Sequence, residues 1–197
     1  MLRIGVDFGG TKIEAAALGA DGGVAVRRRT PNPGDYDSAL RAVVDLIAAV
    51  EAEAGGGPAR IGVGLPGSLS PRTGLMRNAN SVWLNGKPFR QDLERALGRE
   101  IRLENDANCF ALSEAVDGAA RGADVVFGVI IGTGCGGGVV ARGRTVEGRN
   151  HIGGEWGHTP LPPASADELT GPRCWCGRSG CIETWVSGPG LAADHAR

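Results

Sequence analysis

Short apolar runs alternate with glycine turns over the first part of the chain. Residues 2–8 form an apolar run with β-branched side chains, which predicts a buried strand. The segments 13–18 and 24–30 predict two more strands, which complete an antiparallel set of three. Residues 61–65 predict a fourth strand that closes at Gly67, and ligands usually lie at such carboxyl ends in open α/β sheets.

Apolar residues recur at helical spacing in two segments. The first segment follows Asp35 and Asp37, either of which can cap a helix, and it ends at the glycines 55–57. Its apolar residues are Leu40, Val43, Val44, Ile47 and Val50. The second segment lies between Pro88 and Gly98. Its apolar residues are Phe89, Leu93 and Leu97.

A predicted strand at 101–103 runs directly into a polar segment and a third helix. Cys109, Leu112 and Val116 share one face of that helix, so we expect Cys109 to be a small buried core residue. Asp106 lies at the junction of strand and helix, where the helix N-terminus favours a carboxylate. The same position suits a simple N-cap, and the residues alone leave both roles open.

The second half of the chain repeats the arrangement of strand, glycine turn and returning strand. Residues 125–131 predict a strongly apolar strand, which enters a glycine-rich turn at 132–138 and continues as a strand at 139–141. The repetition indicates a duplicated domain whose second copy is incomplete. Cys135 lies inside this turn, and we expect it to fill the loop.

A break at residues 118–122 predicts a hinge between the domains 1–118 and 119–197. The second domain has only the opening strands of a sheet, so we expect its edge and one face to be bare. Such surfaces favour aggregation or pairing with another chain.

Composition argues against several classes of function. The net charge of −1 gives no electrostatic case for binding nucleic acid or a membrane surface. No run of 18 apolar residues exists, and the chain starts with a strand pattern rather than a signal peptide. Five cysteines without an export signal indicate a reducing cytoplasm.

The turn between the first two predicted strands is a candidate phosphate site. Backbone N–H groups at Gly9 and Gly10 can face an anion, and Thr11 can add a hydroxyl. Asp7 at the end of the strand can hold a hydrated Mg²⁺. A plain β-hairpin with a glycine tip is the alternative interpretation.

One imidazole and three thiols near the end of the chain form the ligand set of a closed tetrahedral zinc site. The four residues are His158, Cys174, Cys176 and Cys181. Two disulfides are the alternative, although Cys174 and Cys176 are too close in sequence to suggest a relaxed bridge. Glu155 and Glu183 flank the ligands, so a zinc clip would hold both acids in place.

The segment 78–85 is dense in asparagine. Amides suit the recognition of a neutral polyol, because each offers both donors and an acceptor. Asparagine clusters also serve turns, and that alternative stays open.

Together these motifs resemble the sugar kinases of the ROK family (repressors, open reading frames, kinases), within the actin-like ATPase superfamily. The resemblance rests on the glycine turn after Asp7, on the segments 103–108 and 132–138, and on Cys-x-Cys-Gly-x-x-Gly-Cys at 174–181. It runs along essentially the whole chain. Within the family, the segments 66–68, 78–86 and 109–119 are most similar to bacterial fructokinases, also described as mannokinases.

The resemblance implies an α/β fold of the actin-like ATPase (ribonuclease H-like) type, with two mixed-sheet domains and a cleft between them. The second domain would be truncated, because family kinases are longer than this chain. The implied activity is ATP-dependent phosphorylation of a hexose, which we expect to be D-fructose giving fructose 6-phosphate. ATP, Mg²⁺ and a structural Zn²⁺ are the implied cofactors, and the family allows a homodimer.

The resemblance also implies roles for individual residues, with Asp106 as the general base. The implied sugar-contacting residues are Gly67, Asn80, Asn105, Asp106, Glu155, His158 and Glu183. The implied nucleotide-binding residues are Asp7, Gly9, Gly10, Thr11, Lys12, Gly132, Thr133, Gly134, Cys135, Gly136, Gly137 and Gly138. His158 would serve twice, with one ring nitrogen on zinc and the other toward the sugar.

Three other functions compete with a fructokinase. One is a catalytically inactive sugar-binding fragment. Another is a kinase for mannose, glucose or N-acetylglucosamine. The third is a ROK-type repressor, which would carry a helix-turn-helix segment ahead of the first glycine turn. The early position of Asp7 argues against the repressor.

Overall fold

The computed structural model describes residues 1–57, 59–162 and 165–196. The chain groups into two compact units, Met1–Asp106 and Ala107–Arg197. The division lies at residue 106 rather than at the expected hinge, because the helix that starts there packs on the sheet of the second unit. The domain assignment 1–118 and 119–197 stays a prediction.

The first unit contains a mixed five-stranded sheet. Its strands are β1 (Leu2–Phe8), β2 (Lys12–Leu18), β3 (Val24–Pro31), β4 (Ala59–Leu65) and β7 (Arg102–Asn105), and the short strands β5 (Ser68–Leu69) and β6 (Met76–Arg77) pair with each other. The strand order in the large sheet is β3-β2-β1-β4-β7. The first three strands are antiparallel, as expected, whereas β4 and β7 run parallel to β1.

Two helices complete the core of the first unit, α1 (Tyr36–Glu53) and α2 (Phe89–Leu97). Asp35 caps α1, since its Oδ1 accepts a hydrogen bond of 2.9 Å from the Ser38 N–H. The buried side of α1 consists of Ala39, Val43, Leu46, Ile47 and Val50. Leu40 and Val44, expected on that side, are only partly buried, so the buried face is rotated slightly from the predicted one.

The described residues of the second unit form a three-stranded antiparallel sheet and four helices. The strands are β8 (Val125–Ile131), β9 (Cys135–Ala141) and β10 (Arg144–Thr145), in the order β10-β9-β8. The helices are α3 (Asp106–Val116), α4 (Ala166–Leu169), α5 (Glu183–Val186) and α6 (Gly188–His195). Among the described residues, no helix is both long enough and apolar enough to cross a membrane.

A cross-strand pair of glycines lets α3 lie close to this sheet. Gly128 and Gly138 face each other across β8 and β9. A Cβ on Gly128 would lie 2.8 Å from the Ala111 Cβ, and one on Gly138 would lie 2.5 Å from the carbonyl oxygen of Ala107. Only glycine leaves room for this approach.

Two expectations about cysteines in this unit are wrong. Cys109 is exposed rather than buried, and Val116 on the same predicted face is 59% exposed. Because α3 approaches the sheet over glycines, it buries small residues, among them Ala107 and Ala111, and leaves Phe110 and Val116 exposed. Cys135 is the buried first residue of β9 and not a filler of the glycine turn.

The glycine turn is shorter than expected, since it comprises only residues 132–134, between β8 and β9. Gly136, Gly137 and Gly138 pair with β8 as part of the ladder. The sequence pattern did not predict that these glycines belong to the strand, because successive glycines show no alternation of apolar and polar residues.

The apolar side of β8 is bare in the described part of the second unit. Four alternating side chains are 45–68% exposed: Val125, Phe127, Val129 and Ile131. β8 is also the outer strand of its three-stranded sheet. The expectation of a bare edge and face is therefore confirmed for the described residues.

Candidate functional site

In the first unit, the parallel strands β1, β4 and β7 bring polar residues to one edge of the sheet. Asp7 lies at the end of β1, Gly67 follows β4, and Asn105 ends β7. The Asn105 side-chain amide donates a hydrogen bond of 3.1 Å to the carbonyl oxygen of Gly67. The carboxyl edge of parallel strands is where open α/β sheets bind ligands.

Asp7 and Asp106 are electrostatic neighbours at this edge. Partial shielding from water raises the pKa of Asp7, and the negative charges of Asp106 and Glu14 raise it further, against a smaller opposing effect of Lys12. Two carboxylates that repel each other favour a shared cation or a proton. The next residue in β1, Phe8, is fully buried against two aromatic rings, which anchors the end of the strand.

The first glycine turn is held by Asn32, a residue for which the sequence predicted no role. Asn32 donates from its side-chain amide to the Gly9 carbonyl oxygen at 2.7 Å and from its backbone N–H to the Thr11 carbonyl oxygen at 2.9 Å. Gly9 N–H also donates to the Lys12 carbonyl oxygen at 3.0 Å. The Asn-Pro-Gly sequence after β3 was the available signal, because it marks a turn that returns to the sheet.

The asparagine-rich segment lies beside this turn. A Cβ on Gly10 would lie 3.8 Å from the Ser81 hydroxyl. Asn85 forms a turn, since its side chain exchanges two hydrogen bonds, of 2.9 and 3.0 Å, with the backbone of Ala79. For Asn85 the turn interpretation is therefore confirmed, whereas Asn80 is exposed.

Gly67 is required where these segments meet. Its φ of +82° lies in the left-handed region. A Cβ there would lie 2.5 Å from the Arg77 carbonyl oxygen and 2.7 Å from the Ala79 nitrogen. Glycine at this position therefore allows the end of β4 to pack against the backbone of the asparagine-rich segment.

In the second unit, the segment from Gly153 to His158 packs along β9. A Cβ on Gly154 would lie 2.5 Å from the Gly137 carbonyl oxygen, and the Trp156 indole N–H donates to the Gly136 carbonyl oxygen at 2.7 Å. Glu155 lies between these two contacts and is exposed. The candidate sugar contact Glu155 is thus held by its neighbours against the strand that follows the glycine turn.

The four candidate metal ligands come together in the second unit. The ligand atoms of His158, Cys174, Cys176 and Cys181 all lie within 4.8 Å of one another. The Cys176 and Cys181 sulfurs are 3.7 Å apart, and the Cys174 sulfur is 3.5 Å from His158 Nδ1. With Zn–S near 2.3 Å and Zn–N near 2.0 Å, the edges of a tetrahedral site are about 3.5–3.8 Å long. The described cysteines are all free, and the spacing fits a zinc ion rather than disulfides.

The thiols differ in their proton affinity without a metal. Burial raises the pKa of Cys181 to about 12 and also raises the pKa of Cys174. Burial acts in the same direction at Cys176, but hydrogen bonds from the Arg178 backbone and from the two other cysteines lower its pKa overall. A dication would remove these protons, because only thiolates ligate zinc.

Glu183 connects this cluster to the glycine turn. One carboxylate oxygen accepts a hydrogen bond of 2.9 Å from the Cys135 backbone N–H, and the other accepts one of 2.6 Å from the Trp175 indole N–H. The Glu183 charge and, more strongly, burial raise the pKa of the Cys135 thiol. Glu183, which is expected to contact sugar, therefore already has a protein partner on each carboxylate oxygen.

Comparison with known proteins identifies the family. The ROK family model matches residues 3–197. The chain belongs to the ROK family. N-acetyl-D-glucosamine kinase from Pectobacterium atrosepticum is 43% identical over 192 residues, and the corresponding kinase from Escherichia coli strain CFT073 is 42% identical over 196 residues. Each match covers 95% of this chain and 63% of the relative, so the chain spans less than two thirds of their length.

Solved ROK structures share the fold. A ROK hexokinase from Thermus thermophilus superposes with a TM-score of 0.81 at 36% identity, covering all of this chain and 63% of that protein. A ROK glucokinase from Streptomyces griseus, solved in complex with glucose and AMPPNP, superposes with a TM-score of 0.80 at 29% identity. The match covers 98% of this chain and 59% of that protein. The actin-like ATPase fold with mixed sheets is thereby confirmed for this ROK chain.

Proposed function

We propose that the protein containing this chain transfers the γ-phosphoryl group of ATP to a hydroxyl group of a hexose. The observation that carries the proposal is Asp106, which directly follows β7, begins α3 and lies near Asp7. Phosphoryl transfer needs mainly positioning and neutralisation of charge, and a carboxylate at a sheet edge can accept the proton of an attacking hydroxyl.

In this proposal each group has one task. Asp106 takes the proton of the sugar hydroxyl, and Asp7 would hold the Mg²⁺ that accompanies ATP and neutralises phosphate charge. The Gly9 and Gly132 N–H groups bond within their own turns, so the remaining backbone N–H groups of the turns at 9–12 and 132–134 would face the phosphates. The proposed sugar contacts are Gly67, Asn80 and Asn105 in the first unit, and Glu155, His158 and Glu183 in the second.

The four-residue cluster fits a structural Zn²⁺. A bound zinc would make His158 a ligand through Nδ1, the nitrogen next to Cys174, and would leave Nε2 for a sugar hydroxyl. Zinc would contribute folding energy and would fix the surrounding loops.

N-acetyl-D-glucosamine is the first hexose to test. Two relatives above 40% identity carry that activity in their names, and a more distant structure contains glucose. The fructose expectation finds no support in these relatives. It therefore ranks behind an amino sugar and glucose.

The test is ATP-dependent ADP release with N-acetylglucosamine, glucose, mannose and fructose, run on this chain and on a chain extended to the length of the relatives. We expect turnover with at least one of these sugars and loss of turnover in Asp106→Asn. Binding of a sugar without turnover in either chain would favour the inactive sugar-binding alternative.

A further inference from the structure

Glu183 bridges two segments that are distant in sequence. Its Oε2 accepts from the backbone N–H of Cys135 at 2.9 Å, and its Oε1 accepts from the Trp175 indole N–H at 2.6 Å. Both bonds are charge-assisted, and such bonds are stronger and more directional than neutral ones. The carboxylate therefore joins the first residue of β9 to the cysteine-rich segment.

Trp175 contacts the candidate metal cluster. It lies between the candidate ligands Cys174 and Cys176, and its ring meets the His158 ring edge-on, with 4.8 Å between centroids and an interplanar angle of 84°. The side chain is 68% exposed, so burial does not fix its direction. The contact with the His158 ring and the hydrogen bond to Glu183 orient the indole.

The other end of the bridge fixes the glycine turn. Gly132 N–H donates to the Gly134 carbonyl oxygen at 2.9 Å, which closes the turn. A Cβ on Gly134 would lie 2.7 Å from the Glu183 carboxylate, so the carboxylate rests directly against the turn. Gly188, at the start of α6, adds a second attachment through its N–H to the Gly132 carbonyl oxygen at 2.8 Å.

We propose that Glu183 is a positioning residue that transmits the state of the metal cluster to the turn 132–134. With a metal bound, the cluster keeps the Trp175 indole in place. The indole N–H then fixes the Glu183 carboxylate, and the carboxylate fixes the Cys135 N–H and the turn that precedes Cys135. When the metal is lost, the indole is released and the turn loosens. The consequence for ATP binding rests on the proposed function, whereas the coupling itself does not.

This role differs from a sugar contact in what it predicts. A carboxylate has about four acceptor positions, so a hydroxyl could bind as well. A sugar contact alone would make Glu183 matter only to hexose affinity. Positioning makes the turn depend on Trp175, a residue with no place among the proposed sugar contacts.

The test is amide hydrogen exchange by NMR on the zinc-loaded chain, with and without Trp175→Phe. This substitution keeps an aromatic ring between the two cysteines and removes the N–H donor, together with part of the indole ring. We expect exchange at the Cys135 amide to rise about tenfold, the order of one bond to a charged group, with zinc still stoichiometric. Removing zinc from the unaltered chain with a chelator should give the same rise.

Two controls separate this effect from general loosening. The amides of Val126 and Val140, in the same sheet, should keep their protection in Trp175→Phe. Trp83→Phe, the same substitution in the first unit, should leave the Cys135 amide unchanged. Unchanged exchange at Cys135 in both Trp175→Phe and the chelated chain would overturn the proposal.

Kinetics give a second readout in the chain extended to the length of the relatives. Trp175→Phe should raise the KM for ATP by about five- to tenfold and leave the hexose KM within a factor of two. A rise confined to the hexose KM would overturn positioning in favour of a sugar contact. If no hexose is phosphorylated, the proposed function fails and the exchange experiment still decides the coupling.

Discussion

Replacing Gly138 with alanine tests whether β9 sets the position of α3. A Cβ at Gly138 would lie 2.5 Å from the Ala107 carbonyl oxygen and 2.9 Å from the Asn108 Cα. Both are backbone atoms in the first turn of a helix, so they cannot move aside as a flexible side chain would. Because ordinary contact begins at 3.4 Å, the helix start must shift by about 0.9 Å, or the strand must distort.

Gly136 supplies the matched control, since it lies on the same face of β9 and a Cβ there would meet nothing within 4 Å. Both variants gain about 0.4–1 kcal/mol from the reduced freedom of the unfolded chain, and this gain cancels between them. The difference is the cost of overpacking, about 1–3 kcal/mol. For a chain of this size it corresponds to a Tm about 2–12 °C lower in Gly138→Ala than in Gly136→Ala.

Scanning calorimetry of the two zinc-loaded variants measures this difference. Equal Tm values would refute the idea that α3 is set against β9 by the glycine. Asp106 begins the same helix, so Gly138→Ala should also reduce kinase turnover, by up to about 10²-fold for a shift near 1 Å. A lowered Tm with ordinary turnover would show that the position of Asp106 is set elsewhere.

Three further predictions concern the metal, the base and the bare face. Cys176→Ser should lose the one zinc per chain that elemental analysis should find, whereas the exposed Cys109→Ser should keep it; metal retained in Cys176→Ser would contradict the ligand assignment. In a chain extended to the length of the relatives, Asp106→Asn should reduce turnover by about 10²–10⁴-fold with little change in hexose affinity measured by calorimetry, and the opposite pattern would reverse its role. The 197-residue chain should self-associate in light scattering, and Phe127→Lys should reduce this while Val24→Lys, equally exposed on β3, should not; a monodisperse unaltered chain would argue against β8 as the contact.

The first unit was predictable because its signals are local. Short apolar runs separated by glycines predicted the antiparallel strands, and Asp35 or Asp37 marked the start of the helix. The cysteine cluster was also visible in the sequence, since ligand type and spacing limit the possible chemistry. The contact between Gly67 and Asn105 follows from parallel strands that end together, and a topology of that kind can be argued from the order of elements.

The second unit could not be predicted where glycines, which give no pattern of apolar and polar side chains, determine the packing. Helical periodicity assigned Cys109 to the core, because it assumes that the larger apolar residues face inward. The paired Gly128 and Gly138 reverse that choice, since a helix against bare backbone buries its small residues. The pairing across two strands is a tertiary contact, and periodicity along one strand cannot show it. Asn32 was missed for a related reason, because its partners lie one strand away.

The packing around the glycines of β9 also changes which of them can be assigned to phosphate binding. The family resemblance implied that 132–138 is a nucleotide-binding loop, and phosphate contact would explain every glycine in it. In the strand, however, a Cβ on Gly137 would meet the Gly154 carbonyl oxygen at 3.0 Å, and one on Gly138 would meet α3. Successive residues of a strand face opposite sides.

One side of β9 therefore holds the segment that carries Glu155 and His158, and the other side holds the helix that begins at Asp106. Packing alone accounts for these two glycines, without any phosphate. Because the Gly132 N–H bonds to the Gly134 carbonyl oxygen, the N–H groups left for an anion are those of Thr133 and Gly134, in the turn against which Glu183 rests. If so, a side chain at Gly137 or Gly138 should harm sugar binding or turnover before it affects ATP affinity, whereas a side chain at Gly134 should act in the reverse order.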